Sequence, residues 1–354
     1  MESLNKKRIL WIDAAKFAAM LAVIIDHTNE TLYANTKIAH LSYFNVSVFI
    51  LVMGYTSYLS MSQKHFTLSK KIWGIVGPYI AATFIYCVIE NKFFDFSVFI
   101  NYLIHFNASG PFYYVLLYIQ LVLISPVIFQ IFKTAERAGR FEFLVELLVL
   151  IPIAFLSGWT TNYTNILSVY GGGGKLLGGS YLCLLYIGMW FAKYSKNLQL
   201  KKWQSALMLG VSVSVSVGFA FIIANYDFLL DRNGFFGGGV NPPGFTLGLY
   251  AIAITAAFFA LGSLLDFYPG SIAERVFAVF SSGGKHTLYI FLYHMMFIKY
   301  ILNPLLPSFH AAVGNFNIVR LTYFAVIIFG SIAIEYILKA SYKPIAYSYH
   351  QLEK

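Results

Sequence analysis

Apolar residues fall into ten runs of roughly membrane-spanning length, at about 10–28, 42–61, 72–90, 112–132, 142–160, 176–192, 205–224, 246–265, 286–302 and 317–339. A helix needs about 20 mostly apolar residues to cross the hydrocarbon core of a bilayer, so each run predicts one spanning helix. The expected fold is all-α, a polytopic membrane bundle of about ten transmembrane helices. The fifth run is the least regular, because Glu142 and Glu146 sit i, i+4 in its first turns. A helix N-terminus favours negative charge, and the pair reads as its partly buried beginning. The first run carries a pattern of its own. Within RILWIDAAKFAAMLAVIIDH (8–27) lie Asp13, Lys16, Asp26 and His27. At about 100° per residue, Asp13, Lys16, Met20, Ile24 and His27 share an arc of roughly 80°, with Asp26 about 100° from His27. One helix face is thus a polar ladder, a carboxylate and an ammonium below and an imidazole about three turns higher. Such a face is ill suited to lipid and well suited to the wall of a buried site.

Composition agrees with the pattern. The 354 residues are 58% hydrophobic and 11% charged, with mean hydropathy +0.68, against about 25% charged in soluble domains. The first run keeps its charges and lacks a small-residue cleavage site, so it reads as a retained helix rather than a removed signal. Cys87 and Cys183 both lie in apolar runs and read as reduced packing residues. With no HExxH and no paired cysteine spacing, no metal site is expected.

The net charge of +10 would fit nucleic acid if the basic residues clustered on one soluble surface. Instead they alternate along the chain. With the N-terminus placed in the cytoplasm, Lys and Arg at inner ends and loops outnumber those at outer ones by about three to one. Both termini are then cytoplasmic, and topology accounts for the charge without nucleic acid. The outer loops hold Gly171–Gly174 and Gly237–Gly239. Neither run leads into a helix with a phosphate-loop lysine, so they read as flexible turns. The chain reads as one transmembrane domain, 1–354, with no appended soluble domain and no inverted repeat.

Five ionisable groups beyond the ladder's carboxylate stand out. His27 titrates near working pH and can take a proton from a hydroxyl; it can equally be a hydrogen-bonded residue of the outer interface. Lys16 can snorkel to the inner interface, pair with Asp13 at i−3, or hold a phosphate or developing oxyanion. His294, in the middle of the ninth run, needs a partner, for which Tyr289, Tyr293 and His27 are available. His286 lies nearer the cytoplasmic end, where water can reach it. Glu335 sits in the last run at a depth similar to Lys16, which predicts a Lys16–Glu335 ion pair.

Taken in order, these stretches resemble the acyltransferase family 3 proteins. The family opens with Arg, then Asp, a basic residue three positions later and His fourteen after the Asp; Arg8, Asp13, Lys16 and His27 stand at those spacings. An FF-x-x-SG-[FY] segment is matched by Phe49–Tyr55, with Met53 in place of serine. Lys71 and Pro78 match a basic residue preceding a proline, PFYYVLLYIQLVLISP matches an aromatic helix ending in Pro, and Thr287, Tyr289 and His294 match a late Tyr/His helix. Lys16 and Lys71 stand where the family usually has arginine, which keeps the charge and loses bidentate binding. The resemblance implies a membrane-integral O-acyltransferase of the cell membrane. No bound cofactor is implied; acyl-CoA, usually acetyl-CoA, serves as cytoplasmic co-substrate, and the acceptor is a hydroxyl of a surface polysaccharide or lipid-linked sugar. It implies His27 as catalytic base with Asp13 in the catalytic set, Lys16, Arg8 and Lys71 at the donor, and His294, Tyr289 and Glu335 in support. A glycan exporter or flippase using the same buried groups is the alternative, and a small-molecule sensor a third; homo-oligomerisation stays open.

Overall fold

The computed structural model describes residues 9–33, 36–162, 176–196, 198–225 and 240–352. Arg8 and both glycine runs lie outside the described residues. The fold is helical, with no strand among the described residues. In chain order the helices are α1 (Leu10–Thr28), α2 (Thr36–Ser42), α3 (Asn45–Ser62), α4 (Leu68–Asn91), α5 (Phe96–His105), α6 (Tyr113–Ala135) and α7 (Glu142–Asn162). There follow α8 (Tyr181–Ser195), α9 (Lys202–Asn225), α10 (Phe245–Leu265), α11 (Ile272–Ser282), α12 (Thr287–Met296), α13 (Asn303–Val313) and α14 (Phe316–Leu352).

Each of the ten apolar runs lies largely on a helix. Seven helical stretches among the described residues are long and apolar enough to cross a membrane, so the expected ten is not reached by length and composition. The reasons are local. α1 carries Asp13, Lys16 and Asp26, and α8 has only 15 residues. Gly110–Asn162 counts as one stretch of 53 residues although it contains both α6 and α7. Between them the backbone turns at Gly139, whose φ of 55° and ψ of −119° no helix accommodates; a positive φ is cheap for glycine.

α1 is the axis of the bundle because its two halves pack into different cores. Trp11, Ile12, Ala14, Ala15 and Ala19 join a core with α3, α6, α8 and α10. Met20, Val23 and Ile24 join another with α4, α12 and α14. In the first core Trp11 meets Tyr55 and Phe259 edge-on, with centroids 4.9 and 5.6 Å apart, the geometry aromatic quadrupoles favour. α3 and α8 touch backbone to backbone. A Cβ at Gly54 would collide with the Leu185 carbonyl, and one at Gly188 with that of Leu51. Small residues at such crossings gain packing that bulkier ones forfeit.

The segment between α5 and α6 dips into the second core. Ala108, Ser109, Pro111 and Phe112 are buried, and the Phe112 ring lies 5.3 Å from both Tyr79 and Tyr86 of α4. α6 thus starts inside the bundle.

Candidate active site

Where the two cores meet, at the level of Lys16, the helices part around a cavity of about 370 Å³. Lys16 enters from α1, Met53 and Thr56 from α3, and Lys70 and Lys71 from the first turn of α4. Tyr114 and Tyr118 of α6 and Thr287 and Phe291 of α12 complete the walls, and none of the described lining residues is acidic. The lysines stand at the end that the charge distribution assigns to the cytoplasm. The Tyr114 and Phe291 rings in its lining are 5.0 Å apart.

Lys16 Nζ lies 2.7 Å from Asp13 Oδ1, with the Lys16 side chain 27% exposed and the Asp13 side chain 5%. The i, i+3 spacing puts the two groups on one face, so the pairing of the two was legible in the sequence. Asp13 is held in turn by the connection ahead of α12: Gly284 lies against its backbone so closely that a Cβ would overlap it. Lys71 reaches over the Phe66 ring at 5.2 Å. Met53, at the position where a serine was expected, presents a thioether to the cavity.

Beyond Phe291 the chemistry changes. The His294 ring is 6.0 Å from the Phe291 ring and 5.2 Å from that of His27. His294 is fully buried; its Nδ1 lies 2.6 Å from the Phe291 carbonyl, which fixes that nitrogen as the N–H donor and leaves Nε2 as the lone pair. No protein group among the described residues bonds Nε2. His27 is exposed, so the pair joins one accessible imidazole to one locked in the core. Of the three partners the sequence offers His294, namely Tyr289, Tyr293 and His27, the ring of His27 lies 5.2 Å away.

A feature with no sequence signal marks both histidine-bearing helices. Directly after Thr28 the chain widens into a π-helical turn at Asn29–Tyr33, and directly after Met296 into another at Phe297–Leu302. Such turns interrupt helices mostly at functional sites. A 3.6-residue periodicity cannot reveal them.

The other expected residues sort differently. His27 and Asp13 are fourteen positions apart on α1, about 21 Å along its axis, so they belong to opposite ends of the site. The Lys16–Glu335 ion pair does not form. Glu335, 2% exposed, is paired with His286 Nδ1 at 2.7 Å and with Lys339, because α14 packs along α12 and α13. Tyr289 belongs to the same cluster: Lys339 Nζ sits 5.6 Å over its ring, and the ring stacks on Tyr293. His286 is a partner of this carboxylate as well as the group near water that the sequence suggested.

α1 thus joins a lysine-lined cavity toward one end to a pair of histidine rings at the other. A family model described as an acyltransferase domain matches residues 9–340, nearly the whole chain. The chain belongs to the acyltransferase 3 family. No curated protein and no solved structure matches it. Family membership makes it a membrane acyltransferase.

Proposed function

We propose that this acyltransferase moves an acyl group, acetyl in the simplest case, from cytoplasmic acyl-CoA to a hydroxyl of a surface polysaccharide or lipid-linked sugar at the cell membrane. The observation that carries the reading is that Phe291 lines the cavity of Lys16, Lys70 and Lys71 and lies 6.0 Å from the ring of His294, which is 5.2 Å from that of His27. Phosphate oxygens of the donor fit the lysines, since charge-assisted bonds to phosphate are among the strongest available. Thioester chemistry needs no metal. His27 takes the proton of the acceptor hydroxyl as its oxygen attacks the thioester carbonyl. The C–O bond forms, the C–S bond breaks, and the departing thiolate recovers the proton from His27. His294 holds the ring of His27 through their contact, and Asp13 holds Lys16. Tyr289 and Glu335 act one step further out, by fixing the start of α12.

The test is mass analysis of surface glycans from three strains, one with the chain intact, one with it deleted, and one carrying His27→Ala. Loss of the same acyl mass in the latter two is the expected outcome. An acyl mass retained in His27→Ala overturns the base assignment. Glycan export lost from both with acylation unchanged favours the exporter instead.

A further inference from the structure

A second pocket, of about 260 Å³, lies elsewhere in the bundle. The same two helices that wall the lysine cavity wall this one further along their length. α4 gives Lys70 to Ile75 to the first and Tyr86 and Glu90 to the second; α12 gives Thr287 to Phe291 to the first and Met295 to the second, with Lys299 just beyond it. The floor is the dipping segment, Ala108 and Ser109. At the rim Tyr102 donates to Glu90 at 2.8 Å, and Lys299 Nζ lies 3.1 Å from the other Glu90 oxygen. The Lys299 ammonium also sits 4.9 Å over the Tyr300 ring, and Asn107 is exposed beside them.

The geometry points to this pocket as a binding subsite for an uncharged saccharide unit. Tyrosine rings offer flat apolar faces for the C–H face of a pyranose. A carboxylate, an amide and a hydroxyl offer acceptors and donors that match vicinal hydroxyls. A phosphate suits it poorly, because the one lining cation is already paired with Glu90. Met295 follows His294 directly, so the pocket lies at about the level of His294 along α12, roughly 100° around the helix from it. That the sugar is the acyl acceptor rests on the acyl-transfer reading; that the pocket binds a sugar does not.

The purified full chain in lipid nanodiscs, without donor, is mixed in turn with the methyl glycosides of glucose, galactose, mannose and N-acetylglucosamine. Saturation transfer from protein to the ring protons is then read by NMR. Transfer to at least one glycoside is expected, falling at least fivefold in Glu90→Gln/Asn107→Ala. Both substituted side chains are at the rim, and an unchanged unfolding temperature confirms an intact fold. Absence of transfer to all four glycosides overturns the proposal, as does transfer that persists in the double variant. Line broadening of inorganic pyrophosphate with no saccharide signal overturns it in favour of an anion site. Since no turnover is read, a failed His27→Ala glycan test removes the catalytic reading and leaves this one standing or falling by itself.

Discussion

Two lysine sites near the cytoplasmic ends of the helices look alike in the sequence and are built oppositely. Lys193 of α8 is almost sealed, its side chain 9% exposed, and it pairs with Glu142 and Glu146 of α7. Glu146 is fully buried and also accepts from Tyr194 at 2.8 Å, while Tyr186 donates to its backbone carbonyl at 2.8 Å. Lys193, Glu142 and Glu146 all have partners within this cluster. Around Lys16 the balance is reversed. Lys16 pairs with Asp13, and Lys16, Lys70 and Lys71 all line a cavity of about 370 Å³. The difference teaches how to read a buried cation. Where carboxylates enclose it the charge is structural, and where it lines a cavity it is a candidate for binding a ligand.

The largest effect should come from breaking the closed site. Lys193→Met strands the fully buried carboxylate of Glu146, and removing one partner of a buried pair costs about 3–5 kcal/mol. Little folded protein should reach the membrane, read as chain abundance after detergent extraction. Replacing the whole cluster, Lys193→Met with Glu142→Gln and Glu146→Leu, should restore most of the abundance, since apolar replacement of an entire buried pair is often neutral. Failure of the triple variant to recover would mean that the cluster does more than neutralise itself.

The open site should respond in affinity and hold its stability. Lys70→Ala/Lys71→Ala removes two cations from the mouth while leaving the Asp13–Lys16 pair whole. A hydrogen bond to a charged group contributes about 1.5–3 kcal/mol, and 1.4 kcal/mol is tenfold. The KM for acyl-CoA should therefore rise at least about tenfold, with the unfolding temperature unchanged and kcat little affected. An equal fall in kcat at unchanged KM would place these lysines at the reacting carbonyl rather than the phosphates.

How much of this was legible depends on how local each feature is. The helices were legible because apolar runs of spanning length have few other fates, and the Asp13–Lys16 pair because its partners share one helix face. Glu335 was misassigned because depth along the bundle says nothing about which helix is adjacent; α14 shows its carboxylate to His286, 49 positions away. Glu142 and Glu146 do lie at the start of α7, as their spacing predicts, but their partner Lys193 is on the next helix, which spacing does not show. The outer pocket was invisible. Glu90 and Lys299 look like ordinary interfacial residues until α4 and α12 bring them 209 positions together.

The smallest effect probes Lys16, one of the cavity residues, with Met53 and Lys71, at which this chain departs from the usual family pattern. Lys16→Arg keeps the charge and the i, i+3 reach to Asp13, and adds a planar fork able to bind two oxygens at once. The cavity has room for the larger group beside Thr56 and Gly74, where a Cβ would meet nothing within 4 Å. If Lys16 holds donor phosphate, the KM for acyl-CoA should fall about two- to threefold, under 1 kcal/mol at 1.4 kcal/mol per tenfold. If Lys16 serves only to neutralise Asp13, KM should stay where it is, because arginine neutralises a carboxylate equally well. Measured beside Lys70→Ala/Lys71→Ala, that shift separates a lysine facing a ligand from one that, like Lys193, only answers its neighbours.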